Sequence, residues 1–339
     1  MRSAATRAAL AVAALVPLFA VACAVGLSLG GTDVSLAAAL RGEEPAATVL
    51  FKLRLPRVAL AAVVGAALSV SGAALQALLR NPLADPFVFG LSGGAALGTA
   101  AAAIAGGAAL GEAASLIGLL PGQLMACAGA MAAGAGVFFL GRAHGQLVPE
   151  RALLVGVVFN SFASAAVIGI QAVLAPERTQ AVLLWLSGSL GYEPPSVLLA
   201  AAATVAVSCA ALTALAGRFN LLALGDDGAA SLGVDVARTR ALVFTLASAK
   251  ASVAVGAAVA LTGLVGFVGL VVPHAVRLLA GPDHRVVLPA SALGGAAFLV
   301  LADAAARLLF RGLGTEPPVG AVTALVGAPL FVALLRSRR

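Results

Sequence analysis

Charge is so scarce in this chain that each ionisable residue within an apolar stretch is informative. Asp303 and Arg307 stand four apart inside the apolar segment 286–309. That spacing puts both on one helix face, where they can pair. Lys250 lies deep in another apolar segment, where a charge is expensive, and is expected to snorkel or to line an aqueous cavity. Arg54 and Arg57 precede the uncharged run Val58 to Leu79, and Arg80 follows it. Reaction chemistry is hard to find. Neither Lys52 nor Lys250 follows a glycine, so there is no phosphate loop, and no His-Glu-x-x-His occurs. No paired intramembrane carboxylates offer a proton relay or a hydrolytic dyad. His144, His274 and His284 fall near loops and read as solvated or capping residues. Cys23, Cys127 and Cys209 sit far apart in apolar runs, with neither metal spacing nor a disulfide framework. The residues point to no metal site, no cofactor and no catalytic pair, which argues against an intramembrane enzyme.

The elements that position these charges are membrane spans. Of 339 residues, 61% are hydrophobic and 10% charged, with a mean hydropathy of +1.07; soluble domains carry about 25% charged residues. The sequence predicts an all-α polytopic protein with spans at 8–29, 58–79, 88–110, 116–140, 151–173, 195–216, 240–262, 264–281, 286–309 and 319–335. Pro56 is expected to start the second span abruptly, and Gly266, Gly269 and Pro273 interrupt the eighth. Ten spans put both termini on one side. Arg41, Lys52, Arg54, Arg57, Arg178, Arg307 and Arg311 then fall outside and most other arginines inside, so both termini are expected in the cytoplasm. The formal net charge of +7 therefore reflects topology and lipid headgroup anchoring, with no nucleic-acid partner.

The chain reads as one transmembrane domain over 1–339. Residues 179–190, with Trp185, suggest a short interfacial or re-entrant helix. Segment 217–239 is the longest inner loop; Asp226 and Asp227 suit the start of a short helix that Gly233 would stop. Val64 to Gly72 aligns with Val255 to Gly263, which also pairs Pro82 with Pro273. Such a repeat would suit an ion-coupled secondary transporter with inverted halves, the competing assignment.

Several motifs occur in order: Arg54-Leu55-Pro56-Arg57, Asn81-Pro82-Leu83-Ala84-Asp85-Pro86, Leu224-Gly225 through Leu232-Gly233, Gly266 through His274, and Asp283-His284-Arg285. Together they resemble the FecCD-type permeases of ATP-binding-cassette (ABC) importers for iron chelates, haem and vitamin B12, from about residue 50 onward. The resemblance implies the type II importer permease fold in the inner (plasma) membrane. It also implies a homodimer, two cytoplasmic ABC ATPase subunits, and a periplasmic or extracellular substrate-binding protein docked outside. Carried onto this chain, Arg54, Arg57 and Arg307 would receive acidic residues of the binding protein. Asn81, Pro82 and Leu83 would form one part of an inner gate, and Leu147, Val148 and Pro149 the other. Gly225, Asp226, Asp227, Ala229, Ala230, Leu232, Gly233 and Val234 would couple to the ATPase, while Asn160, Ser161 and Ser164 would line the pathway. The chain departs from the family at Val148 and Pro149, where cobalamin permeases carry small hydroxyl residues. It departs again at Pro317, where leucine is usual, and at Lys250, a typically uncharged position.

Overall fold

The computed structural model describes residues 4–32, 35–105, 120–143, 146–232 and 235–336. The chain runs through α1 (Ala4–Ser28), α2 (Leu36–Leu40), α3 (Ala46–Leu78), α4 (Leu91–Ala105) and α5 (Pro121–Leu140). Two antiparallel two-residue strands follow, β1 (Arg142–Ala143) and β2 (Gln146–Leu147). The next helices are α6 (Pro149–Gln171), α7 (Pro176–Leu186), α8 (Pro195–Ala214), α9 (Ala216–Ala223) and α10 (Asp226–Ser231). The last are α11 (Val236–Thr262), α12 (Val268–Ala280), α13 (His284–Leu313) and α14 (Val319–Arg336). Among the described residues, six helices are long and apolar enough to cross a membrane, and four more apolar helices are shorter.

Helix starts follow from local chemistry. Pro121, Pro149, Pro176 and Pro195 each open a helix, where a missing N–H costs nothing because the first amides have no partner. Asp235 and Asp283 cap α11 and α13, accepting from the Arg238 and Arg285 amides at 2.9 Å.

Two expectations need correction. Helix α3 does not start at Pro56. It begins at Ala46 and passes through a π-bonded turn, Val49–Arg54, with Pro56 in the second position of the α part that follows. The absent amide falls where the bonding register changes, so the helix continues past it. The eighth span is helical only over Val268–Ala280, about 20 Å at 1.5 Å per residue. Gly263 to Gly266 lead into it without helix, and Phe267 takes the left-handed backbone at φ 69°. The expected spans at 88–110 and 116–140 are helical over Leu91–Ala105 and Pro121–Leu140; residues 106–119 lie outside the described residues.

Helix α3 is the hub. It packs against α13, α11 and α12, while α4 packs against α5, and α1 lies on α13. Its most apolar window is 78% buried, against 17% for α6, so α3 is enclosed by protein and α6 presents most of its surface outward. The close approach is glycine-made. A Cβ on Gly65 would run into the Gly295 carbonyl, and one on Gly72 into the Gly269 carbonyl. Gly72→Ala should therefore lower the melting temperature in detergent, a loss of about 1–3 kcal/mol from overpacking. Gly136→Ala, in α5 with nothing within 4 Å of the new methyl, should be neutral or slightly stabilising.

Candidate functional site

At one end of the bundle, four charged side chains from three segments converge. Arg57 donates from Nε to Asp303 Oδ1 at 2.8 Å, and from Nη1 and Nη2 to the Glu316 carboxylate. Arg307 donates from Nε to Asp303 Oδ2 at 2.9 Å, the pairing its spacing requires. The Asp303 side chain is 0% exposed, and its charge is shared by two guanidiniums.

The remaining arginine donors serve α1. Arg307 donates to the carbonyls of Leu29 and Gly26, both at 2.9 Å. Arg54 donates to Leu27 at 2.8 Å, Ser28 at 2.9 Å and Thr32 at 2.6 Å, and Arg311 to Gly30 at 2.9 Å. The last carbonyls of a helix have no partner of their own; Arg54 and Arg307 supply it here, and Arg311 holds the chain just past the helix end. The sequence suggested one outward patch of Arg54, Arg57 and Arg307. In the fold, Arg54 and Arg307 are buried and turned onto α1, while the Arg57 side chain keeps 20% of its surface. Glu316 is the member that sequence reasoning missed, because nothing local links it to a residue so far back in the chain.

The other end carries the loops. Asn81 Oδ1 accepts from the Leu83 amide at 2.9 Å, closing a turn that leaves Pro82 and Leu83 exposed. Arg80, left-handed at φ 46°, donates to the Leu222 carbonyl at 2.7 Å and ties this loop to α9. Leu147 pairs with Arg142 across the short ladder, Val148 donates from its amide to Gly141 at 3.1 Å, and Pro149 opens α6. Gly225, at φ 87°, turns the chain into α10, which holds Asp226, Asp227, Ala229 and Ala230. Ala229 is buried, whereas Leu224 and Leu232 on either side of the helix are exposed. Gly233 and Val234 lie outside the described residues, as does His144. The other two histidines are not solvated: His274 is fully buried in α12 against Phe331, and His284 is buried beside Asn220.

Asp85, in the loop between α3 and α4, is buried and accepts from the Phe87 amide at 2.8 Å. Burial pushes its carboxyl up to about 6, with the Phe87 bond working in the opposite direction.

Between the two ends, a cleft of about 570 Å³ runs along α6, lined among others by Phe87, Ser92, Asn160, Ser164, Gln171 and Leu264. Asn160 spends its amide on the fold: Nδ2 donates to the Phe87 carbonyl at 2.7 Å, and Oδ1 accepts from the Gly93 amide at 3.1 Å. Ser164 reaches the cleft, whereas Ser161 lies exposed and donates to the Val157 carbonyl at 3.1 Å.

This arrangement of small-residue helices, loops and a cleft has known relatives. The sequence profile of the FecCD transport family matches residues 18–337. The chain belongs to the FecCD transport family. It is 42% identical over 315 residues to the cobalamin import system permease protein BtuC of Halobacterium salinarum, covering 92% of this chain and 80% of that protein. It is 40% identical over 292 residues to the hemin transport system permease protein HmuU of Yersinia pestis, covering 86% and 84%. A solved structure described as a metal-chelate type ABC transporter in an inward-facing conformation superposes with a TM-score of 0.81 at 30% identity, covering 97% of this chain and 99% of that one. The chain is thus a multi-pass membrane permease and not itself an enzyme, and FecCD membership decides against the secondary transporter.

Three outcomes follow. Asp303→Asn leaves two guanidiniums without their shared charge and should destabilise the protein by about 3–5 kcal/mol in chemical or thermal unfolding. Glu316→Gln, at a partly exposed pair, should cost no more than about 1 kcal/mol. For Asp85, a folded-state value above the ordinary carboxyl value means the folded chain holds this proton more tightly. Its stabilising contribution is full below pH 3.8 and is lost as pH rises through about 6. Asp85→Asn should remove that part of the pH dependence of the melting temperature.

Proposed function

We propose that this chain is the membrane half of an ABC importer that carries a metal chelate, of the iron–siderophore, haem or cobalamin kind, into the cytoplasm. It works as a homodimer in the inner (plasma) membrane, as a single transmembrane domain with both termini in the cytoplasm. Two ATPase subunits bind the end that carries α10, through Gly225 to Val234. A substrate-binding protein docks at the opposite end, where Arg57 meets its carboxylates and Arg54 and Arg307 hold the surrounding backbone in place.

The observation that carries this reading is the outward face of α6. Only 17% of its most apolar window is buried. Leu154, Val157, Ser161, Ser164 and Ile168 recur at helical spacing along an exposed stripe. In a membrane protein such a face suits a second copy of α6 across a two-fold axis, with the cleft beside it as the path. Sparse polarity is what a path for a bulky chelate needs, since tight binding inside would oppose release. Asn81 to Leu83 and Leu147 to Pro149 close its cytoplasmic end. Docked, loaded binding protein and ATP-driven closure of the ATPases would then bias the bundle from opposite sides.

The test is uptake by the chain in liposomes. Chelate accumulation should require the ATPase subunits, ATP and the binding protein together; uphill transport by the chain alone under a proton gradient would overturn the proposal. Arg57→Glu should weaken docking of the binding protein at least tenfold, with partial recovery when the facing acid is reversed to lysine. Undiminished affinity would remove the docking assignment.

A further inference from the structure

Arg57 has two carboxylate partners of different character. Asp303 is sealed inside, at 0% side-chain exposure, and is also held by Arg307. Glu316 stands at 38% exposure on the loop that leaves α13 at Gly314 and enters α14. The Nε edge of Arg57 is committed inward to Asp303, and its Nη1 and Nη2 atoms face the two oxygens of Glu316. That fork-to-fork approach is the geometry a carboxylate arriving from another protein would adopt. With Nε committed inward, the edge facing outward is the one a carboxylate would meet, and Glu316 already occupies it.

We infer that Glu316 is a built-in stand-in for the acidic residue of the binding protein, holding the outward fork of Arg57 until docking replaces one carboxylate with the other. The inference rests on the docking reading above and deepens it. Exchange is electrically economical: the two arginines face two carboxylates before and after, and no guanidinium is left bare at any stage. The loop around Glu316 suits the role. Pro317 and Pro318 follow it directly, and the Gly320 amide donates to the Gly188 carbonyl at 3.1 Å, so the stand-in pivots on a fixed base. Gly320 also packs against the backbone of Leu264, which lines the cleft. Release of Glu316 therefore occurs at a loop joined to the cleft's wall.

The experiment uses the full-length permease complex in nanodiscs and, as probe, the binding protein that immobilised wild-type permease recovers from the source cells. Glu316→Gln, which removes the competing charge and keeps the side chain's shape, should tighten docking roughly threefold to fivefold at low salt. The gain should shrink as salt rises. Arg57→Gln should weaken docking and make Glu316→Gln silent when the two are combined. If Arg57→Gln weakens docking but Glu316→Gln leaves it unchanged or weaker, the stand-in role is wrong and the docking site stands. If Arg57→Gln changes nothing, the docking reading fails and the stand-in role fails with it.

Discussion

A carboxylate removed from water must be compensated where it stands, and much of this fold is arranged around that demand at Asp303. Its two oxygens take one guanidinium each, from Arg57 on α3 and Arg307 on its own helix. Those arginines come from the most enclosed helix and from the helix most closely packed on it. The same solution extends outward. The end of α1 exposes carbonyls that neither lipid nor a following helical turn can satisfy, and Arg54 and Arg307 supply the donors, with Arg311 bonding Gly30 just beyond. One guanidinium thus does two things at once, neutralising a buried acid and closing a helix end. That is why α1, α3 and α13 meet at this end and cannot be repositioned independently.

Where α3 is locked, α6 is left open. Backbone-to-backbone contact at Gly65 with Gly295, and at Gly72 with Gly269, leaves no room for sliding between α3, α13 and α12. Helix α6 has a looser attachment. Asn160 holds it to the loop at Phe87 and to the start of α4 through two hydrogen bonds, and much of its remaining length faces outward. The polar group that looks most available to a passing solute is in fact occupied by the chain's own backbone, and the cleft wall is left largely apolar.

What could be read from the sequence was local. The i,i+4 spacing of Asp303 and Arg307, the short helix after Gly225 and the short helix containing Trp185 all depend on neighbours in sequence, and all stand in the fold. The partners of Arg54 could not be read, because they are main-chain carbonyls of α1, and one carbonyl looks like any other in a sequence. Glu316 was silent for the related reason that its partner lies 259 positions away. Pro56 misleads as a helix start, because a preceding π turn absorbs the lost amide and the helix runs through it. The internal repeat misled at one point. Pro82 sits in an exposed turn and Pro273 inside α12, so the two positions are not structurally equivalent although the flanking small residues align.

Fixed and loose parts together constrain how a path can open. A block held by glycine contacts and by a neutralised buried acid resists internal rearrangement, since any shift would strand a charge or press one backbone into another. Movement must then be concentrated in elements that pay no such penalty. Within one chain, α6, with little of its apolar surface enclosed, and α7, with Leu183 and Leu184 exposed and Leu186 on the cleft, meet that condition, and in the proposed dimer any shift of α6 would be shared with its copy. Both border the same cleft, and both connect to loops at the ends of the bundle, α6 through Val148 and α7 through Gly188, whose carbonyl accepts from Gly320. The wall of this cleft, the proposed path, is thus the part of the chain with the fewest internal contacts to hold it in place.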